Sequence, residues 1–96
     1  MGRVDCFKLV GIECWFNSED HLPHHIHVRK VTAWEIRVYF LRCTGDHLDF
    51  DVKWRATKRG PSSKEFKLIL TAVLKHRVQL LDEWTKKVKG DSQDDY

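Results

Sequence analysis

Residues 34–54 read WEIRVYFLRCTGDHLDFDVKW, and their alternation decides the fold. In residues 34–41 large apolar side chains occupy every second position, which is the period of a β-strand with one buried face. Residues 47–54 repeat this alternation with a series that ends at Trp54. Between the two segments, Thr44-Gly45-Asp46 has the composition of a hairpin turn. The stretch therefore predicts two antiparallel strands that bury the same face, with Trp54 in the core.

Weaker strand patterns precede this hairpin. Residues 12–16 and 25–29 each place apolar side chains at alternate positions, and residues 17–24 connect them as a loop. An earlier strand is expected around residues 4–9, with a turn at Val10-Gly11. Because consecutive strands usually pair as neighbours, the chain is expected to form an antiparallel β-meander of four to five strands.

The strongest helix signal follows the strands. Pro61-Ser62-Ser63-Lys64-Glu65 contains a serine N-cap with a glutamate three residues later, which is a capping box. Behind it, apolar residues recur at helical spacing and form one broad stripe: Phe66, Ile69, Leu70, Val73, Leu74, Leu80, Leu81 and Trp84. Gly90 is the expected C-terminal glycine of this helix. The predicted fold is therefore α+β, a β-meander packed on one long C-terminal helix.

Length and composition indicate one domain. The chain has 96 residues, of which 42% are hydrophobic and 32% charged, so it can bury a core but has no apolar run long enough for a membrane span. We expect residues 1–89 to form the domain and residues 90–96 to be an acidic, disordered tail. The first residues lack the pattern of a signal peptide, and three irregularly spaced cysteines predict reduced thiols, so a cytoplasmic location is expected.

Four of the six histidines lie within residues 21–27. If Ile26 and Val28 point into the core, His25 and His27 share the opposite, open side of the sheet, and we expect them to be exposed there. Two imidazoles and nearby carboxylates suit a divalent metal ion. The candidate ligands are Asp20, His21, His25 and His27, with His47 or a carboxylate from another strand to complete the set.

Two other interpretations of the histidines stay open. His25 or His27 could serve as a general acid or base, because an unperturbed imidazole titrates near neutral pH. The alternative is a solvated polar sheet face that follows a histidine-rich loop. The chain contains no H-E-x-x-H metalloprotease motif, glycine-rich phosphate loop or serine-hydrolase elbow. An enzyme would therefore have to be of an unfamiliar kind.

A basic stretch lies between the last predicted strand and the helix. Its four cations are Lys53, Arg55, Lys58 and Arg59. A helix N-terminus favours anions, so this stretch could hold a nucleic-acid backbone. We favour a solvated connection instead, because with Trp54 in the core no exposed aromatic side chain accompanies the charges.

The histidine segment resembles that of domain-of-unknown-function family 4160, a group of small bacterial proteins. Those proteins carry Asp-His-x-Pro-Pro-His-x-His-Val. Here the motif is matched by Asp20, His21, Pro23, His25, His27 and Val28, while His24 stands where the family has its second proline. Gly11 and Ile12 before the motif, and Leu80, Leu81 and Trp84 after it, extend the resemblance over residues 11–88. The resemblance implies a role in toxin–antitoxin-like gene pairs and a protein partner, without an established catalytic mechanism.

The sequence leads to three functional hypotheses. The first is a small, non-enzymatic interaction or regulatory module, one half of a toxin–antitoxin-like pair. It would bind a protein partner or a second copy of itself through Trp15, Tyr39, His25 and His27. The second is a metal-dependent hydrolase or nuclease that uses the histidine cluster and a divalent metal ion. The third is a nucleic-acid-binding protein that uses the basic stretch. No membrane association is expected.

Overall fold

The computed structural model describes residues 2–56 and 60–88, which form a five-stranded antiparallel sheet and two helices. The strands follow one another in chain order across the sheet. They are β1 (Gly2–Arg3), β2 (Glu13–Phe16), β3 (Ile26–Lys30), β4 (Trp34–Val38) and β5 (Phe50–Arg55). The helices are α1 (Ser63–Lys75) and α2 (Arg77–Lys87). The predicted α+β class and the antiparallel meander are therefore confirmed.

The core lies between one face of the sheet and the helices. Phe16, Ile26, Ile36, Ile69 and Leu80 are completely buried in it. The opposite face, here called the open face, carries the cross-strand row Trp15, His27, Arg37 and Asp51. None of the helices in the described ranges has the length and apolar run that a membrane crossing requires.

The loop between β4 and β5 is longer, and the two strands shorter, than the sequence pattern predicts. β4 ends at Val38 and β5 begins at Phe50, although the Tyr39 N–H still donates to the Asp49 carbonyl at 2.9 Å. The turn predicted at Thr44-Gly45-Asp46 is present, because Thr44 and His47 form an isolated antiparallel bridge around it. The turn therefore lies at the tip of a long loop that separates the two strands.

Trp54 does not lie in the core, which corrects the prediction. Ile36 pairs with Val52 and Glu35 pairs with Trp54, so Lys53 has no partner of its own and the strand contains a bulge. One extra residue exchanges the two faces of a strand beyond that point. The bulge thus moves Trp54 to the face of Glu35, where 39% of its surface is exposed.

The expected strand at residues 4–9 is also displaced. β1 comprises only Gly2–Arg3, and residues 4–12 form an irregular segment that ends in a Leu9–Ile12 bridge, with Gly11 at a φ of 75°. The backbone N–H groups of Asp5 and Cys6 donate to the Glu83 carboxylate at 2.8 and 2.9 Å. A side chain of α2 therefore satisfies two backbone donors of this segment that have no strand partner.

The C-terminal region is two helices, and the prediction of one long helix is wrong. The capping box at its start is confirmed: Ser62 Oγ accepts from the Glu65 N–H and Glu65 accepts from the Ser62 N–H. At His76 the backbone leaves helical geometry, with φ −112° and ψ 20°. The His76 ring packs on Phe7 with 5.5 Å between centroids, and Arg77 donates to the Cys43 carbonyl. Tertiary contacts therefore accompany a bend that neither glycine nor proline explains.

The end of the second helix also differs from expectation. α2 ends at Lys87, and the Val88 N–H donates to the Trp84 carbonyl at 2.9 Å. Leu81, placed in the buried stripe, is 37% exposed. The predicted glycine terminus at Gly90 and the predicted tail at residues 90–96 lie outside the described residues.

Candidate metal centre

The loop between β2 and β3 folds over the open face and delivers Asp20. The Asn17 N–H donates to Asp20 Oδ2 at 2.9 Å, and the Asp20 N–H donates to the Asn17 carbonyl at 3.1 Å. This reciprocal pair closes a turn and fixes the carboxylate over the sheet. Only 8% of Asp20 is exposed.

His24 holds the end of this loop against the helices. Its ring lies 5.0 Å from the Trp84 ring and 6.2 Å from the Phe40 ring, measured between centroids. Burial, together with the neighbouring His25, lowers the pKa of the His24 imidazole, which favours the neutral ring. An aromatic contact thus anchors the position where the resembling family has a proline.

β3 positions His27 beneath Asp20. Its Nε2 lies 2.9 and 3.0 Å from the two carboxylate oxygens of Asp20. A carboxylate that lacks a proton only accepts hydrogen bonds, so Nε2 carries the hydrogen. The ring is 4% exposed and stacks on Trp15, its neighbour on β2, with 5.3 Å between centroids.

His25, immediately before β3, points its other ring nitrogen at the same carboxylate. Its Nδ1 lies 2.8 Å from the Pro23 carbonyl. A carbonyl only accepts, so Nδ1 is the donor. Nε2 donates a hydrogen to Asp20 when the ring is protonated and offers a lone pair when the ring is neutral. This Nε2 lies 3.5 Å from Asp20 Oδ1.

Asp20, His25 and His27, here called the Asp–His centre, each offer one ligand atom, and these atoms lie within 4.8 Å of one another. A cation can bind here if it replaces the hydrogen between His27 and Asp20, while the Pro23 carbonyl keeps His25 oriented as a backbone acceptor does for metal-binding histidines. Two imidazoles and one carboxylate fit zinc, iron(II) or a similar divalent ion.

The Asp20 carboxyl is ready to bind a cation without losing a proton. Burial by itself would raise its pKa, but the contacts with His25 and His27 and the hydrogen bond from the Asn17 N–H outweigh burial and hold the pKa well below its usual range. Asp20 is therefore ionised at neutral pH.

His27 contains a second, unsatisfied polar atom. Its Nδ1 is buried and has no hydrogen-bond partner among the described residues. A buried polar atom without a partner costs about 1–3 kcal/mol. The Nε2 contact with Asp20 and this orphan Nδ1 therefore have opposite effects on the stability contributed by His27.

The Asp–His centre opens into a depression of about 220 Å³. Residues of the covering loop line one side, and Arg37 and Tyr39 of the open face line the other. The Tyr39 hydroxyl donates to Asp51 Oδ2, and this hydrogen bond, aided by burial, raises the Tyr39 pKa. Tyr39 therefore remains protonated near neutral pH and is not a free base.

The structure brings together three of the four predicted ligands. Asp20, His25 and His27 converge, whereas His21 is exposed and only lines the depression. His47, considered as a completing ligand, lies in the turn that Thr44 closes and is not part of the group. The expectation that His25 and His27 are exposed is wrong, because the loop that carries Asp20 covers them.

Of the four residues predicted to bind a partner, two belong to the Asp–His centre and the other two contact it. Trp15 stacks on His27, and the Tyr39 ring lies 5.7 Å from the His25 ring between centroids. The Arg29 guanidinium lies over the Trp15 ring, with its Cζ 5.0 Å from the ring centroid. The four side chains form a continuous group, but its two histidines are buried.

The basic stretch is described only in part. Lys58 and Arg59 lie outside the described residues, while Lys53 and Arg55 are exposed on β5. Lys53 Nζ lies 3.3 Å from Glu35 Oε2, an ion pair whose carboxylate is buried. The exposed Trp54 stands between the two described cations, so the reason for favouring a solvated connection no longer holds.

Arg37 was not predicted as a site residue. The alternation of residues 34–41 places Arg37 on the open side beside the histidines. This alternation was the sequence feature that could have identified it as a site residue. What the alternation does not reveal is that Arg37 pairs directly across from His27 and lines the depression.

The comparisons with known proteins add no relative. No family model, curated protein or solved structure matches the chain, so the family resemblance at the histidine motif stays a prediction.

Proposed function

We propose that this protein is a divalent-metal-dependent hydrolase. The observation that supports the proposal is the convergence of Asp20, His25 and His27 on one buried point at the wall of an open depression. Structural metal sites usually close all positions with protein ligands, whereas catalytic sites keep at least one position open. Three protein ligands beside a depression fit the second kind.

The residues around the centre divide the chemical work. Asp20, His25 and His27 would hold a divalent ion, which would supply Lewis acidity and lower the pKa of bound water toward neutrality. The Pro23 carbonyl orients His25, and the stacked Trp15 fixes the plane of His27. The covering loop limits access of bulk solvent, which strengthens electrostatic interactions at the centre.

Metal binding is tested by titration calorimetry of untagged protein with zinc and manganese, together with elemental analysis. We expect about one ion per chain. The sharpest variant is His27→Gln, which keeps an amide donor for Asp20 but removes the imidazole ligand. His47→Ala, a change of an exposed histidine outside the centre, is the matched control. Binding that is unchanged in His27→Gln and in the double variant His25→Ala, His27→Ala would overturn the proposal.

Hydrolysis is tested with 4-nitrophenyl acetate, 4-nitrophenyl phosphate and bis(4-nitrophenyl) phosphate. We expect release of nitrophenol from at least one of these esters by the metal-loaded protein. The rate should fall by at least 100-fold in Asp20→Asn and His27→Gln, and should stay within twofold in His47→Ala. Activity that survives chelation of the metal and both substitutions would exclude this mechanism.

The interaction-module hypothesis remains a separate proposal. A partner surface at Trp15, Tyr39, His25 and His27 would have to reach histidines that are 6% and 4% exposed. Side chains that dominate protein interfaces usually offer accessible apolar area to the partner. The geometry therefore gives this hypothesis, and the toxin–antitoxin role attached to it, less support than metal chemistry.

A second candidate function is binding of single-stranded nucleic acid along β5. The exposed Trp54 and Lys53 both lie beside Glu35, which combines a stacking platform with a backbone-binding cation, whereas Arg55 pairs with Trp34 on the other face. Trp54→Ala should weaken binding of a labelled ten-nucleotide oligothymidine by roughly tenfold, since stacking contributes about 1–3 kcal/mol per base. Val52→Ala is the control on the same strand. Binding that is insensitive to salt would count against this candidate.

A further inference from the structure

The Arg37 guanidinium lies beside the Asp–His centre without an ion-pair partner among the described residues. Arg37 lies on β4 directly opposite His27 and lines the same depression. Its Nε is buried without a hydrogen-bond partner, and no carboxylate of residues 2–56 or 60–88 is within ion-pair distance of its guanidinium. The other open-face arginine, Arg29, differs in that it is paired with Glu13.

The neighbours of Arg37 do not explain its position. Asp51, its partner across the strand pair, accepts the hydroxyl of Tyr39 instead. A guanidinium stays charged at any pH at which a protein folds, and a partly buried one without a counter-charge is costly. A guanidinium whose Nε lacks a partner among the described residues, beside a candidate metal centre, can donate hydrogen bonds to an anion that enters the depression.

We infer that the depression binds the phosphoryl group of a phosphate ester, with Arg37 as the residue that positions it. This inference rests on the proposed function. A phosphoryl group presents charged oxygens in several directions, so one oxygen can face the ion of the Asp–His centre while others accept hydrogen bonds from Arg37. The planar guanidinium matches such oxygens with two parallel donors.

The reaction that follows is hydrolysis of a phosphorus–oxygen ester bond. The oxygen of water forms a bond to phosphorus as the bond from phosphorus to the ester oxygen breaks. The departing alcohol takes up one proton from that water, and phosphate is the other product. Arg37 stabilises the negative charge on the oxygens that remain on phosphorus, so its contribution belongs to both substrate binding and the transition state.

Binding is tested with inorganic phosphate and manganese-loaded protein by ³¹P nuclear magnetic resonance. A phosphate held beside the paramagnetic ion relaxes rapidly, whereas a free phosphate does not. Acetate, followed by its methyl signal, is the parallel probe for a carboxylate. We expect saturable relaxation of phosphate and at least tenfold weaker binding of acetate. Manganese stoichiometry is measured on the same samples.

Three variants separate the role of Arg37 from general charge. Arg37→Gln should retain one manganese per chain and weaken phosphate binding by about 10- to 100-fold, the range that loss of charge-assisted hydrogen bonds implies. Arg37→Lys, which keeps the charge but not the fork, should be intermediate. Arg3→Gln removes an exposed charge that does not line the depression and should leave phosphate binding unchanged.

Each outcome gives a decision. Full manganese binding with no phosphate relaxation, with acetate binding as tight as phosphate, or with an Arg37→Gln variant that binds phosphate like the wild type, overturns the phosphoryl assignment and leaves the metal proposal standing. Absence of manganese and zinc binding in the wild type removes the proposed function and this inference with it. Saturable relaxation that falls strongly in Arg37→Gln, partly in Arg37→Lys and not in the control variant supports both.

Discussion

Asp20 and His27 are joined across seven residues by a contact in which one ring nitrogen meets both oxygens of one carboxylate, at 2.9 and 3.0 Å. This contact ties the loop over the open face to the middle of the sheet. It makes the loop a part of the folded structure even before any ion binds.

Asp20→Ala should lower the free energy of unfolding by about 1–3 kcal/mol, because it leaves the His27 Nε2–H buried without an acceptor. Asp20→Asn keeps an oxygen acceptor and should cost less, while still losing metal affinity. Urea unfolding of the metal-free proteins measures both effects. Asp46→Ala, at the exposed hairpin turn, is the control. Equal stability of Asp20→Ala and the wild type would show that the contact does not hold the loop.

The two tryptophans Trp34 and Trp54 should respond very differently to truncation. Trp34 is 2% exposed and Trp54 39% exposed. Trp34→Ala should cost about 3–5 kcal/mol, as large core truncations do, and Trp54→Ala about 1 kcal/mol or less. Chemical denaturation gives both values. A cost above about 3 kcal/mol for Trp54→Ala would mean that the bulge does not turn this side chain away from the core.

Ser62→Ala should destabilise the protein by about 1 kcal/mol, because its hydroxyl accepts from the Glu65 N–H at the first turn of α1. Ser63→Ala changes the adjacent serine, which is the first residue of the helix and not its cap. The difference between the two midpoints in thermal unfolding measures the cap. If the two variants have the same midpoint of thermal unfolding, the capping box contributes no measurable stability.

Glu83 gives the protein a pH-dependent stability. Burial alone would raise its pKa, but Lys87 and the N–H groups of Asp5 and Cys6 hold the pKa below its usual value. A carboxyl with a lowered pKa stabilises the fold above its unfolded-state pKa, and the contribution is lost as pH falls through the folded-state pKa. Glu83→Gln should therefore be less stable than the wild type by about 2 kcal/mol at pH 7, since two backbone donors and Lys87 lose a charged acceptor.

The same comparison in acid provides the check. The unfolded-state value is near 4.5, so the stability difference between wild type and Glu83→Gln should shrink progressively below that pH. Denaturant titrations at a series of pH values measure it. A difference that stays constant between pH 7 and pH 3 would assign the effect of the substitution to packing instead of charge.

Local patterns predicted the parts of the fold that depend on local chemistry. The alternation around Ile36 placed β4, and the Ser62–Glu65 pair placed the start of α1, because a strand face and a helix cap are each set by a few neighbouring residues. The bend at His76 was missed, and the contacts that accompany it, with Phe7 and Cys43, involve residues distant in sequence.

For the candidate site, too, the sequence predicted the local features and missed those that depend on tertiary contacts. The spacing of His25 and His27 indicated a shared face, but their burial depends on how the loop carrying Asp20 folds back, which periodicity does not encode. Arg37 lay on the predicted face, but only the register of the strands shows that its Nε is buried without a partner in residues 2–56 and 60–88.

The bulge at Lys53 has a consequence for how these molecules behave in concentrated solution. Among the described residues, β5 has a paired strand on one side only, so it offers a row of backbone groups to any other extended chain. A lysine without a cross-strand register partner and an interrupted pleat in the middle of that row oppose its continuation into a neighbouring molecule. The irregularity that brings Trp54 into the open thereby also protects the sheet from intermolecular, amyloid-type growth.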